Sequence, residues 1–210
     1  MSTRKIVLWR HGQTTWNVER RFQGTTDIPL DETGVEQAAR SARLLAALEP
    51  AAIVASPLRR AAATAQALSE VTGLEVTHDQ DLIERSGGAW EGLTNHEIRT
   101  RYPAEHAIWQ PPGGEDVEEV AKRFAAAVER ALERVPDDGL LVMVSHGAAI
   151  RIGMLAWLGF PEELWGRFGG LSNCSWSVLE EGRIGWRLAE HNAGTLPEPV
   201  LSDDRAASDG

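Results

Sequence analysis

A short apolar run, Ile6-Val7-Leu8-Trp9, ends on Arg10-His11-Gly12 within the first dozen residues. A run of this length containing Ile, Val and Trp predicts a buried strand. Such a strand delivers an arginine, a histidine and a flexible glycine to the carboxyl end of a sheet, the edge where open α/β folds bind ligands. The same design returns much later in the chain, where Val142-Met143-Val144 runs into Ser145-His146-Gly147. A lone Arg-His-Gly is weak evidence, and a single histidine is more often structural than functional. Two histidines at the ends of two buried strands of one parallel sheet can lie close in space, and that arrangement favours a site. An imidazole beside a fixed guanidinium is suited to attacking or holding a phosphoryl group.

The rest of the chain alternates in the same manner. Lys5 to Arg10 reads as the first strand, followed by a loop to Leu30 with Gly12, Asn17, Gly24 and Pro29 as breakers. Asp31 opens a helix to about Leu48, with Val35, Ala38, Ala39, Ala42, Leu45 and Leu48 at helical spacing. Ala52 to Ala55 is a second strand. Ser56-Pro57 then places a capping residue and a proline at the start of a helix that runs to about Val71 and stops at Gly73. Leu74 to Thr77 is a third strand. Residues 80–114 are irregular, too long for a plain connection, and read as a cap over the site with a short helix from Thr94 to Arg101. A long amphipathic helix follows from Glu115 to Val135, then a buried strand from Leu140 to Val144. Helices from Ala148 to Leu158 and Pro161 to Phe168 precede a hairpin of Ser175–Leu179 with Ile184–Leu188. The pattern predicts an α/β fold, a three-layer α/β/α sandwich with a mostly parallel central sheet. It predicts one domain over 1–193 and a disordered tail over 194–210.

Charge narrows the partners. The net charge of −10 over 210 residues argues against nucleic acid, because backbone binding needs a cationic face. An anionic substrate would require positive charge concentrated in one pocket, and Arg10, Arg21 and the Arg59-Arg60 pair are the candidates. A small phosphorylated metabolite fits that description. No apolar stretch approaches the ~20 residues of a membrane span, and the first residues carry no signal-peptide core. The single cysteine, Cys174, excludes an internal disulfide and points to a cytoplasmic setting. No carboxylate cluster or Cys/His spacing predicts a metal or other cofactor. His78, His96, His106 and His191 show no partner pattern and read as surface or structural. Among the tryptophans, Trp90 and Trp109 in the cap are candidates to flank a sugar, and Trp165 and Trp176 to mark a homodimer surface. Core packing is the commoner use of the residue.

Two further elements bear on chemistry. The stretch Ser56 to Ala65 also follows a strand, and an arginine in the first turns of its helix makes an anion site with the positive helix end. Glu84, in the irregular segment after Leu82-Ile83, is a carboxyl that burial near a phosphate would leave able to hold a proton and act as an acid. Alone, each is more often a solvated side chain.

Arg10-His11-Gly12-Gln13-Thr14, Asn17, Ser56 to Ala65, Glu84 with Trp90-Glu91-Gly92, and Ser145-His146-Gly147 together resemble the histidine phosphatase (phosphoglycerate mutase-like) superfamily. The resemblance runs in the family's order over nearly the whole chain and stops only at the tail. It implies an α/β sandwich and a metal-independent phosphohydrolase working through a phosphohistidine. It implies His11 as nucleophile, with Arg10, Arg60 and His146 holding the phosphoryl oxygens, Gly147 beside them, and Asn17 and Gln23 as further phosphate ligands. Glu84 is then the general acid and base. Arg-Ala-x-x-Thr matches Arg60, Ala61 and Thr64, which selects Arg60 over Arg59. The insertion that cofactor-dependent mutases carry after the glutamate is missing. Within the superfamily, Gly88 to Thr94, Gly113-Gly114-Glu115 and Gly169 to Asn173 are similar to glucosyl-3-phosphoglycerate phosphatases. Gly87 and Asp116 depart from that pattern near the expected substrate wall. Neighbouring Arg10 and Arg60 should keep His11 neutral. The alternatives are a mutase of the same fold and a phospho-ligand-binding regulatory protein without turnover.

Overall fold

The computed structural model describes residues 3–194; the expectation of a disordered tail lies outside them apart from Gly194. Six strands form one sheet in the order β3-β2-β4-β1-β5-β6. They are β1 (Lys5–Arg10), β2 (Ala52–Ala55), β3 (Val76–His78), β4 (Leu140–Ser145), β5 (Trp176–Gly182) and β6 (Gly185–Ala193). The first four in sequence run parallel and the closing hairpin pairs antiparallel to β1. Alternation along β1 divides the core. Ile6 and Leu8 face one layer, with Phe124, Met143 and Ile150. Val7 and Trp9 face the other, with Ala38, Leu45 and Leu68. The helices α6 (Val117–Leu132) and α7 (Gly147–Trp157) cover the first face, and α2 (Glu32–Ala46) and α3 (Arg59–Thr72) the second.

Local chemistry accounts for most boundaries. Asp31 caps α2, its carboxylate accepting from the Gly34 amide at 2.8 Å. Gly73 ends α3 in the left-handed region at φ +74°. Thr94 and Glu97 form a reciprocal capping box at the start of α4 (Asn95–Arg101). Gly153 of α7 lies so close to α6 that an added Cβ would sit 2.2 Å from the Phe124 ring.

Several expectations are corrected. The loop to Leu30 contains a one-turn helix, α1 (Thr15–Val18), whose Thr14–Asn17 capping box has no apolar periodicity to announce it. Val35 and Leu48 are exposed, and the buried face of α2 instead includes Gly34, Gln37 and Ser41. Ser56 does not cap α3; that helix begins at Arg59 after Leu58, with no side-chain cap. Residues 161–168 form a 3₁₀ turn over Glu162–Arg167 instead of an α-helix. The cap region holds an additional short helix, α5 (Pro103–Ala107). Trp90 is fully buried among Phe22, Ile98 and Trp109 and is the core of the cap, so it cannot face a sugar. His191 is structural, as expected, held on both nitrogens, with Ser177 Oγ at 2.9 Å and the Gly169 carbonyl at 2.8 Å.

Candidate active site

The register of the two central strands builds the site. Arg10 pairs with Ser145 across β1 and β4, and the His11 amide donates to the Ser145 carbonyl at 3.0 Å. His11 and His146 therefore leave the sheet side by side, with ring centroids 5.1 Å apart and planes at 58°. Both rings are buried.

The tautomer of His11 follows from its neighbour. Nδ1 lies 2.7 Å from the Gly12 carbonyl, which only accepts, so Nδ1 carries the proton and Nε2 presents a lone pair. Burial, then the charges of Arg60 and Arg10, hold this imidazole well below the ordinary histidine value. The sequence expectation had only the arginines; desolvation is the larger cause. Gly12 serves by size and not by flexibility. An added Cβ would meet the Gly34 carbonyl oxygen at 2.5 Å, where the loop leans on the start of α2. The Gly12 amide donates to Thr64 Oγ at 3.1 Å, tying the loop to α3 as well.

His146 is also held well below the usual range, by burial first and then by Arg60, His11 and Arg10. Arg60 Nε donates to its Nδ1 at 3.2 Å, and its Nε2 lies 2.8 Å from Ser56 Oγ. An acceptor Nδ1 leaves the proton on Nε2, so this ring is neutral and donates to Ser56. Both nitrogens of His146 are engaged, Nδ1 with Arg60 and Nε2 with a serine hydroxyl. Ser56, read from sequence as a helix cap, is that partner.

The guanidinium groups are fixed by backbone. Arg60, fully buried, donates to the carbonyls of Gly24 and Thr26, each at 2.8 Å. Arg10 donates to the Leu171 carbonyl at 2.5 Å and packs against Gly147 at the start of α7, where an added Cβ would lie 3.5 Å from its Nε. Arg59 is exposed, and Arg21 is spent on Glu19, Glu97 and the Gly92 carbonyl; neither enters the site. Asn17 Oδ1 accepts from the Thr14 amide and hydroxyl, each at 3.0 Å, and from Asn173 Nδ2 at 3.2 Å. Those donors set the amide orientation and turn Nδ2 the other way. Gln23 is buried beside them, its Oε1 3.1 Å from Thr14 Oγ.

Glu84 closes the site from the cap. Its carboxylate accepts from the amides of Arg85 and Ala149, each at 2.9 Å, and of Ala148 at 3.2 Å, the last two from the first turn of α7. The segment that carries it is pinned by Arg123 of α6. That guanidinium donates to the carbonyls of Asp81 and Ile83, each at 2.7 Å, and of Glu84 at 3.2 Å, while pairing with Glu115 at 2.6 Å.

Residues 6–194 match the histidine phosphatase superfamily (branch 1). The chain belongs to that superfamily. This histidine phosphatase is 38% identical to a glucosyl-3-phosphoglycerate phosphatase of Mycobacterium tuberculosis, over 92% of this chain and 96% of that protein. It is 33% identical to a probable phosphoglycerate mutase of Salmonella paratyphi C, over 87% of each. The structure of a mycobacterial glucosyl-3-phosphoglycerate phosphatase in complex with VO3 superposes with a TM-score of 0.87 at 39% identity, covering 91% of this chain and all of that one.

Sequence reasoning missed several supports of the phosphatase site. Glu91 accepts from the amides and hydroxyls of Thr25 and Thr26 and from the Gly87 amide. Burial opposes its ionisation, but those donors outweigh it and leave the carboxyl below its usual value. The loop it gathers supplies the carbonyls that grip Arg60. Asn173 donates to the His11 carbonyl at 3.1 Å. Arg123 is a partly buried side chain of α6 whose carbonyl partners lie in a distant loop. The two departures from the branch pattern have structural explanations. Asp116 precedes α6, its amide donating to Glu119 at 3.2 Å and its carboxylate accepting from Gln110 at 2.6 Å. Gly87 makes room for the Phe22 ring, which an added Cβ would meet at 2.5 Å. Among the described residues, no group of three or more His, Cys, Asp or Glu is placed to hold a metal ion, and no helix is long and apolar enough to cross a membrane.

Proposed function

We propose that this enzyme hydrolyses phosphomonoesters of a small cytoplasmic metabolite, of the phosphoglycerate or sugar-phosphate type, through a phosphohistidine on His11. One observation carries the reading. A neutral imidazole whose Nε2 carries the lone pair stands 5.1 Å from a second neutral imidazole, beside two backbone-fixed arginines. The arginines draw in the phosphate dianion and offset the charge on its equatorial oxygens as the bond breaks. Their planar forks can each grip two oxygens. Nε2 of His11 attacks phosphorus in line as the bond to the leaving oxygen breaks, and Glu84 hands that oxygen a proton. Water then attacks phosphorus, Glu84 takes its proton, the P–N bond breaks, and inorganic phosphate leaves with His11 neutral again. One difficult displacement becomes two easier ones. Asn17 and Gln23 line the phosphate side and Gly147 gives Arg10 its seat.

The likeness to a glucosyl-3-phosphoglycerate phosphatase supports a phosphorylated acid as substrate. The likeness to a probable phosphoglycerate mutase supports transfer back to a substrate hydroxyl instead of to water. Incubation with 3-phosphoglycerate separates them: a hydrolase releases inorganic phosphate, a mutase isomerises the ester. Neither product, with VO3 still bound, would establish a binding protein without turnover. Acid-labile phosphate on His11 in rapidly quenched enzyme is expected, and its absence during turnover would overturn the covalent route.

A further inference from the structure

The two imidazoles of the site differ in what holds them. Nδ1 of His11 meets the Gly12 carbonyl at 2.7 Å. A carbonyl only accepts, so His11 is held in one tautomer and its Nε2 keeps the lone pair a nucleophile requires. Nε2 of His146 instead meets a hydroxyl, that of Ser56, at 2.8 Å. A hydroxyl accepts or donates, and it changes from one to the other by rotating its O–H bond while the oxygen stays where it is.

The sheet places that hydroxyl. β2 lies beside β4, with Ala55 opposite Val144, and the Ser56 amide donates to the Val144 carbonyl at 2.9 Å. Ser56 therefore leaves β2 on one flank of His146, as His11 leaves β1 on the other. The serine is fully buried, so bulk water does not compete for its hydroxyl. The Leu58 amide donates to Oγ at 3.3 Å and holds the oxygen in place whichever way the O–H turns.

To hold a phosphoryl oxygen, as in the hydrolysis proposed above, His146 needs an N–H to offer it. In the structure its one proton lies on Nε2, directed at Ser56, while Nδ1 accepts from Arg60 Nε at 3.2 Å. A lone pair at Nδ1 repels an oxyanion. Moving the proton from Nε2 to Nδ1 leaves the ring neutral and makes it a donor on the side of Arg60. Nδ1–H and the Arg60 Nε–H, their nitrogens 3.2 Å apart, then converge on one oxygen. The bare Nε2 needs a donor in the buried interior, and the Ser56 O–H supplies it. A second proton on the ring is opposed by burial and then by the charges of Arg60, His11 and Arg10.

We propose, on the strength of that hydrolytic role, that Ser56 is a positioning residue for His146. Its hydroxyl accepts from Nε2–H in the protein alone and donates to bare Nε2 when a phosphoryl group is bound, so that His146 presents Nδ1–H to a phosphoryl oxygen. One proton passes from Nε2 to Nδ1 by way of solvent water as the anion enters, the serine O–H rotates, and no net proton is gained or lost.

Nitrogen-15 NMR of labelled histidine reads the tautomer, with His146→Gln identifying the signals of that ring. The proton of His146 should lie on Nε2 in the protein alone and on Nδ1 with saturating orthovanadate. A proton that stays on Nε2, or protons on both nitrogens, would overturn the inference. Ser56→Ala removes the donor to Nε2. It should weaken vanadate binding and lower kcat/KM for p-nitrophenyl phosphate, each by about tenfold, the size of one hydrogen bond to a group in a charged site. Ser56→Thr keeps the hydroxyl and should retain most of both. A Ser56→Ala variant that binds vanadate as tightly as the wild type would reduce the serine to a structural residue and overturn the inference. Phosphate release by a wild type that does not exchange its tautomer leaves the hydrolase reading intact and removes Ser56 from it. Exchange of the tautomer without phosphate release from p-nitrophenyl phosphate overturns the hydrolase reading and upholds Ser56 in anion binding.

Discussion

In the proposed mechanism the phosphate side and the leaving-group side of the site are built by different means. Arg10, His11 and His146 are placed by main-chain hydrogen bonds between β1 and β4. Glu84 and the walls around it are placed by side chains, chiefly Arg123 and Arg85 reaching across to loop carbonyls. A ladder between central strands cannot shift without breaking the sheet. A loop hung from arginine forks can be rebuilt by changing a few residues. The first arrangement suits chemistry common to every phosphate ester, and the second suits the part of the substrate that varies.

Substitutions can break this contrast. His11→Ala should remove turnover by about four orders of magnitude or more, since covalent catalysis through that atom is lost altogether. Circular dichroism should show the fold retained, and residual turnover near wild type would put the nucleophile elsewhere. Glu84→Gln should cost about 10²- to 10⁴-fold on glycerol 3-phosphate and much less on p-nitrophenyl phosphate, whose leaving group needs little protonation. Equal losses on the two esters would exclude Glu84 as the acid. Arg123→Met touches no substrate, yet it should reproduce that leaving-group bias at about tenfold, as a small misplacement of Glu84 would. A uniform loss would reduce Arg123 to a stabilising residue.

The smallest effect sharpens the phosphate side. In the unfolded chain each histidine takes up a proton as pH falls through about 6.5. In the folded protein His11 and His146 resist protonation until well below that value. Protons then bind only the unfolded state, so stability holds above about pH 6.5 and is lost below it, by about 1.4 kcal/mol per pH unit for each ring. Urea midpoints at pH 7.5 and 5.5 measure the loss, and His146→Gln should flatten it. A midpoint no more pH-dependent in the wild type than in that variant would contradict the burial of a neutral imidazole.

The same contrast explains what could be read in advance. Apolar runs at 6–9 and 142–144 identify central strands because burial on both faces demands unbroken hydrophobicity, and the residues just after them must then converge. Glu84 was legible as a residue but not as a geometry, because Arg123 sits 39 positions away in a helix and a single sequence carries no sign of such pairings. Ser56 misled for a related reason. A serine before proline and a helix is a good cap by local rules, yet here a distant imidazole claims its hydroxyl. Thr14 and Asn17 form a one-turn helix too short for hydrophobic periodicity to reveal. α2 packs through Ala38, Ala42 and Leu45, and Val35 and Leu48 flank that stripe and stay exposed.

The pairing of Arg10 with Ser145 has a further corollary. It acts as a ruler that spaces the two imidazoles, and a ruler is insensitive to what is attached beyond its end. Segments may lengthen, shorten or be exchanged anywhere after the strand tips without moving one ring relative to the other. One residue inserted within either strand would turn its following side chains to the opposite face and separate the pair at a stroke.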